Sequence, residues 1–294
     1  LSTLGSVEEA LWACMSSTAP VYTDTTGQWS QGISKTVDDA SYVLFNASNF
    51  STLQEFSLYF IVGGCNVTNG SNDEIIYKVP LSVVNTATID FDIEGIATIQ
   101  WSGFGGQITE EASFDASTGT NPIVYGIDAT NNFIRNKLSS MTIVPSAAMQ
   151  TAGFQDGYTA ILTGGSITID NNITYLTPAE MCKVNKPLGH VTGTRHVSGN
   201  FTCYLDDTAK YSNALWDDLV TIDDVVTNEF YVTVSIGGVS EPVKVDCKME
   251  FCHLEIPAHD FGDLISMDVP FHALADPTTG YDEIQLWYTG VVPV

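Results

Sequence analysis

Positive charge is the scarcest property of this sequence. Ten Lys and Arg stand against 35 Asp and Glu, a net charge of −25 over 294 residues. Residues 1–134 hold two cations, Lys35 and Lys78, against fifteen carboxylates; the other eight lie between Arg135 and Lys248. Such a surface repels nucleic acid, because phosphate affinity needs clustered cations that release counterions. A DNA-reading role is therefore excluded. Long apolar runs are also missing: no 18 consecutive apolar residues occur, so no spanning helix is expected. The opening Leu1–Ser6 has neither the charged nor the apolar part of a signal peptide, and the missing initiator Met fits a processed or a disordered start. There is no Gly-x-Ser-x-Gly elbow, His-Glu-x-x-His, P-loop or dinucleotide fingerprint, so the chain does not read as an enzyme and no cofactor is expected.

Helix is scarce too. The best candidate is Val7–Ser17, opened by Ser6 with Glu9 three residues on, a capping-box arrangement. Thr177-Pro178-Ala179-Glu180 reads as a cap followed by Pro at the first helical position. A third helix begins near Ser212 and carries Leu215, Trp216 and Leu219 on one face. The rest is short β-rich runs divided by Gly, Asn and Asp: Tyr42–Phe45, Phe56–Val62, Glu74–Val79, Ser140–Val144, Thr159–Thr163, Glu229–Ile236, Pro242–Asp246, Leu264–Phe271 and Glu283–Tyr288. The expected fold class is mainly β with a few short helices.

Four further segments alternate in a distinctive way. In Val197–Leu205 the residues Val197, Phe201, Cys203 and Leu205 fall on one side, and Ser198, Asn200, Thr202 and Tyr204 on the other. Thr86–Asp92, Ile96–Ser102 and Ser166–Asp170 repeat the pattern. No Lys or Arg occurs on these polar faces, which suggests strands lining something wet and anionic. The solvent side of an ordinary antiparallel sheet also alternates, and remains the plainer reading. Thr88–Asp92 followed by Ile96–Trp101 resembles Ser166–Asp170 followed by Val197–Tyr204, a weak internal duplication of two hairpins or split hairpins.

Sites of chemistry are few. Cys247, Cys252, His253 and His259 are the residues to weigh for metal, but a separation of five puts Cys247 and Cys252 on opposite faces of a regular strand, and no metal is assigned. Adjacent carboxylates such as Asp217/Asp218 and Asp223/Asp224 suit solvated caps better than a catalytic pair held across a cleft. Six cysteines (Cys14, Cys65, Cys182, Cys203, Cys247, Cys252) permit three disulfides; buried free thiols are the simpler expectation for a chain with a core this large. Sequons stand at Asn46, Asn49, Asn66, Asn69, Asn172 and Asn200, although a glycan at Asn200 would foul its strand.

The stretch Pro187–Tyr204 (Pro-Leu-Gly-His-Val-Thr-Gly-Thr-Arg-His-Val-Ser-Gly-Asn-Phe-Thr-Cys-Tyr) resembles the tail tube, or major tail, proteins of tailed bacteriophages. Thr88–Gly106, Thr163–Leu176 and Leu254–Leu274 share the likeness, which lies mainly from Leu81 onward. The resemblance implies a β-sandwich subunit flanked by a helix. Six such subunits close into a ring, each giving two hairpins to a continuous inner β-barrel, and stacked rings make the channel for genome delivery. On this reading the partners are other copies of the chain, a tape-measure protein in the lumen, transiting double-stranded DNA without specific binding, tail-tip or baseplate and neck proteins, and a sheath only in a contractile tail. No membrane is involved. The place of action is the virion tail, after assembly in the bacterial host cytoplasm, where thiols stay reduced. Residues 1–80 resemble nothing specific and are expected to be an accessory segment, with 81–294 the core and a loop-rich insertion near 104–120.

Laid on the sequence, this predicts a lumen lined by Thr86, Thr88 and Asp90; Thr98, Gln100 and Ser102; Ser166, Thr168 and Asp170; and Ser198, Asn200 and Thr202. The opposite parity would pack outward against the rest of the subunit: Ala87, Ile89 and Phe91; Ala97, Ile99 and Trp101; Ile167 and Ile169; Val197, Phe201 and Cys203. Arg195 is the candidate for an ion pair with a neighbouring subunit, a plain surface pair being its alternative. From a different class, a secreted or cell-surface β-sandwich adhesin, glycosylated and disulfide-linked, would also fit the sequons and the even number of cysteines.

Overall fold

A computed structural model of the chain describes residues 7–16, 21–22, 40–45, 53–62, 75–93, 95–111, 139–176, 188–221, 229–237, 244–261, 265–278 and 282–289. The described part is mainly β, with three short helices. In chain order the elements are α1 (Val7–Ser16), β1 (Val21–Tyr22), β2 (Ala40–Leu44), β3 (Phe56–Val62), β4 (Ile75–Asp92), β5 (Thr98–Phe104), β6 (Thr109–Glu111), β7 (Ser140–Pro145), α2 (Ala147–Ala152), β8 (Tyr158–Ala160) and β9 (Leu162–Asp170). There follow β10 (Ile173–Leu176), β11 (Gly189–Thr192), β12 (His196–Tyr204), α3 (Ser212–Thr221), β13 (Phe230–Ile236), β14 (Lys244–Leu254), β15 (Ala258–Phe261), β16 (Ile265–Ala273) and β17 (Gln285–Thr289).

Fifteen strands join in one antiparallel network whose main path runs β1-β2-β17-β14-β16-β12-β9-β4-β3. β5 and β6 add to β4, β13 to β14, β7 to β13, β8 to β7 and β15 to β16, while β10 and β11 pair apart as a hairpin. Strand β14 carries the alternation Val245, Cys247 and Met249 into the core. A bulge, where Phe230–Val232 of β13 faces Met249–Cys252, shifts the parity so that Cys252 and Leu254 are buried as well. Cys247 and Cys252 thus share a face, contrary to the regular-strand count. His253 takes the exposed side, opposite His272. Among the described residues no group of three or more His, Cys, Asp and Glu is placed to hold a metal. Cys14, Cys203, Cys247 and Cys252 are free and buried; Cys65 and Cys182 lie outside the described residues.

Three readings are corrected. Glu74–Val79 and Thr86–Asp92 are not separate strands but parts of the single 18-residue β4. The boundary at residue 80 falls inside that strand. The segment before it is no appendage: Trp12, Met15, Val43 and Phe45 belong to the main core, and β2 pairs with β17 through Val43 opposite Leu286. The reason is apolar burial, since α1 lays Trp12 against Phe45 and Trp101 with ring centroids 6.1 and 4.6 Å away. Helix α2, with Met149 buried, was not expected from the sequence. The Thr177–Glu180 helix start and the part of the 104–120 insertion beyond Glu111 lie outside the described residues.

Candidate functional surface

Backbone pairing brings the four alternating segments side by side in the order β5-β4-β9-β12, and β16 continues the surface. Register then fixes which side chains meet. Thr86 stands between Ser102 and Asp170, Thr88 between Gln100 and Thr168, and Asp90 between Thr98 and Ser166. On the next strand Ser198 faces Thr168, Asn200 faces Ser166, and Thr202 faces Gly164. Directly opposite residues of an antiparallel pair share a face. All of the residues assigned to the polar set therefore stand on one wall. Asp90, Thr98, Gln100 and Ser102 are exposed, and the other members are half-buried.

Short polar side chains bond across the strands of this wall. Thr86 bonds Ser102, and Thr88 lies 3.1 Å from the Thr168 hydroxyl. Ser166 donates to Asn200 Oδ1 at 3.0 Å, and the Asn200 amide donates to Asp268 on β16 at 3.0 Å. The Thr163 hydroxyl donates to that of Thr202 at 2.8 Å, which in turn donates to the Gly164 carbonyl at 3.2 Å. A cross-strand ladder of this kind holds side chains against the sheet, leaving few long, mobile groups on the surface.

The opposite face is dry. Ala87, Ile89, Phe91, Ala97, Ile167, Ile169, Val197, Phe201 and Cys203 are buried in the core, while Ile99 and Trp101 pack at its edge. Two glycines let aromatic rings lie against the sheet. A Cβ at Gly165 would sit 2.8 Å from Phe91 Cζ, and one at Gly199 would meet Phe271 Cζ at 2.7 Å and the Ser166 carbonyl at 2.1 Å. Core burial pushes the Cys203 thiol up to about 12.

Sequence reading overlooked the contribution of β16. Ser266, Asp268, Pro270 and His272 alternate with buried Met267, Val269, Phe271 and Ala273, the same signal as in the other four strands. His196 and His272 are the basic side chains on this wall; His196 lies opposite Asp170, and His272 Nε2 is 3.1 Å from Glu255 Oε1.

Arg195 does not turn outward. Its Nε donates to Asn171 Oδ1 at 2.9 Å, an Nη lies 3.4 Å from Glu283 Oε2, and the guanidinium stacks 4.9 Å from the Phe45 ring. The residue is 4 % exposed, so the expected pair with a neighbouring subunit is replaced by one within the chain. Asn171 is the hub of this cluster. Its amide donates to the Met15 carbonyl at 3.0 Å, satisfying an orphan acceptor in the last turn of α1. Burial lowers the Arg195 pKa, and Glu283 opposes that shift.

A family model described as phage tail tube protein matches residues 15–251. The chain belongs to the phage tail tube protein family. The match takes in the whole polar wall up to Tyr204 and the core segment that begins in α1. Among curated relatives, "Tail tube protein pb6" of Escherichia phage T5 is 33% identical over 216 residues, which is 70% of this chain and 44% of that protein. The tail tube chain described here thus spans less than half the length of that relative.

Proposed function

We propose that this chain is the repeating structural subunit of a phage tail tube, and that the β5-β4-β9-β12 wall lines its bore. The observation that carries the reading is the wall itself with β16 beside it: five adjacent strands with a hydroxyl, amide and carboxylate surface bearing no Lys or Arg. Duplex DNA moving past such a surface finds no cations to exchange for its counterions, and so no reason to stay. Asp90, Asp170 and Asp268 add repulsion, while cross-strand hydrogen bonds keep the surface smooth.

On this reading the subunit is a sandwich-like body whose wall joins those of its neighbours. Six copies close a barrel without open edges, and the rings stack into a tube in the virion tail. A tape-measure protein fills the lumen before DNA, and tail-tip and neck proteins close the two ends. The role is structural rather than enzymatic: rigid, non-adhesive conduction. Negative-stain electron microscopy of purified protein tests the reading, with hollow rings or tubes expected. Wild-type tubes should release duplex DNA at low salt, whereas Asp90→Lys/Asp170→Lys tubes should retain it in a salt-dependent way. A chain that stays monomeric at high concentration would overturn the proposal.

A further inference from the structure

β3 and the first half of β4 pair as an exposed arm, with Val62 opposite Ile75 at its far end and Phe56 opposite Ser82 at its base. The chain enters the arm at Glu55 and leaves it at an elbow, Pro80–Leu81. Leu81 has φ 54°, a left-handed conformation costly for a residue with a side chain. The Pro80 carbonyl accepts from Gly106 N at 2.7 Å.

Beside both roots of the arm lies the β10–β11 hairpin, which shares no ladder with the fifteen-stranded network. Ile173 anchors it in a small cluster with Leu53 and Val83, apart from the main core, and the Ile173 N–H donates to Asn85 Oδ1 at 2.7 Å. Gly193 N closes its base by donating to the Asn172 carbonyl at 3.0 Å. A two-stranded ribbon seated in so small a cluster belongs to the low-stability end of a structure.

Two side chains of the hairpin reach one root each. Tyr175 and His190 stand directly opposite one another and so share the face turned to the body. The Tyr175 hydroxyl donates to the Leu81 carbonyl at 3.0 Å, and its ring stacks on Phe104 with centroids 5.9 Å apart. The His190 side chain is 8 % exposed, and its Nδ1 lies 3.5 Å from Glu55 Oε1 without a hydrogen bond. A neutral ring leaves that buried nitrogen short of a partner; an imidazolium turns the contact into an ion pair.

We propose that His190 is a proton-operated latch on the arm. Protonated, it binds Glu55 and holds the hairpin, and through Tyr175 the Leu81 elbow, against the body; neutral, it lets both loosen. Among the described residues, the titratable groups that face it are Glu55, from the segment before β3, and Tyr175 on β10. Burial, aided by the Glu55 charge, pushes the Tyr175 phenol up, so the phenol remains a donor throughout. Imidazole changes charge between about pH 8 and pH 5, so the latch is closed at the acid end of that range and slack at the neutral end. It works within one subunit, whether or not the chain forms a tube.

Hydrogen–deuterium exchange of the dilute, unassembled full chain at pH 5.5 and 7.5 tests the latch, read by mass spectrometry and corrected for the chemical exchange rate. In wild type, protection of residues 173–176 and 188–192 should be about three- to fivefold higher at pH 5.5, with residues 104–106 following and β9 and β12 level. His190→Gln and Glu55→Gln, the second at an exposed side chain and so foldable, should each abolish the difference. Tyr175→Phe should keep it in the hairpin and lose it at residues 104–106. Equal protection at the two pH values in wild type, a difference that survives in either Gln variant, or one shared equally by β9 and β12 would overturn the latch. A response at residues 104–106 untouched by Tyr175→Phe would overturn its link to the elbow.

Discussion

Trp12 decides whether the N-terminal segment is part of the body of this protein. Its indole is fully buried, packs edge-on against Trp101 and Phe45, and donates from Nε1 to the Tyr288 hydroxyl at 2.8 Å. Tyr288 in turn donates to Glu8 Oε1 at 2.7 Å, closing a chain from α1 to β17 and back. Trp12→Ala removes the ring and leaves a cavity, a change that costs about 3–5 kcal/mol in cores of this kind. For a chain of this size that corresponds to a fall in Tm of about 5–8 °C. Trp12→Phe keeps most of the volume and loses the donor, so it should cost about 1–2 kcal/mol, and a double-mutant cycle with Tyr288→Phe should return a coupling of about 1 kcal/mol. Urea unfolding of dilute, unassembled protein, followed by near- and far-UV circular dichroism, measures all three. A loss below about 1 kcal/mol for Trp12→Ala would refute the reasoning, because a detachable accessory segment would leave the remaining core unharmed.

Arg195→Met should cost about 3–5 kcal/mol, since it strands Glu283 as a buried carboxylate, and Glu283→Leu added to it should recover most of the loss in the same urea assay. Burial pushes the Cys14 thiol from 9.0 up to about 11, and Cys203 and Cys252 up to about 12. The folded chain therefore holds protons that the unfolded chain releases above pH 9, and stability should fall as pH rises from about 9 towards 11, by about 1.4 kcal/mol per pH unit for each thiol. Thermal melts at pH 8, 9 and 10 under reducing conditions check this; a Tm that stays level would contradict it. Gly199→Ala should destabilise by about 3 kcal/mol or more because its Cβ meets the Ser166 carbonyl at 2.1 Å, whereas Gly157→Ala, with its nearest contact at 3.6 Å, should be close to neutral.

Period-two alternation made the wall legible. Thr86–Asp90, Thr98–Ser102, Ser166–Asp170 and Ser198–Thr202 each state their two faces in the residue order alone, and pairing has only to set them in register. Strands without alternation were opaque. Phe56–Val62 is almost wholly apolar, which reads as a buried strand, yet it forms the exposed arm, because burial belongs to tertiary context rather than to composition. Arg195 misled for a related reason. An Arg before a strand reads as surface, and only the meeting of Asn171, Phe45 and Glu283, residues far apart in sequence, gives it a buried seat. The bulge in β14 was invisible for the same cause, so its cysteines were assigned by a parity that the chain breaks.

β4 is a single strand, bent at Leu81, whose first half pairs with β3 and whose second half belongs to the wall. From Thr86 to Asp92, beyond the register shift at Val84/Thr86, the side chains alternate sides, so one residue gained or lost there without a compensating bulge turns the wall's hydroxyls into the core and its isoleucines into the water. Length between Thr86 and Asp92 can therefore drift in pairs of residues, each pair lengthening the wall by about 7 Å, or singly where a bulge takes up the odd residue. The separation between the two ends of the subunit is quantised: a lineage can lengthen or shorten its wall by whole steps, with the opposing strands β5, β9 and β12 obliged to follow at the same stride.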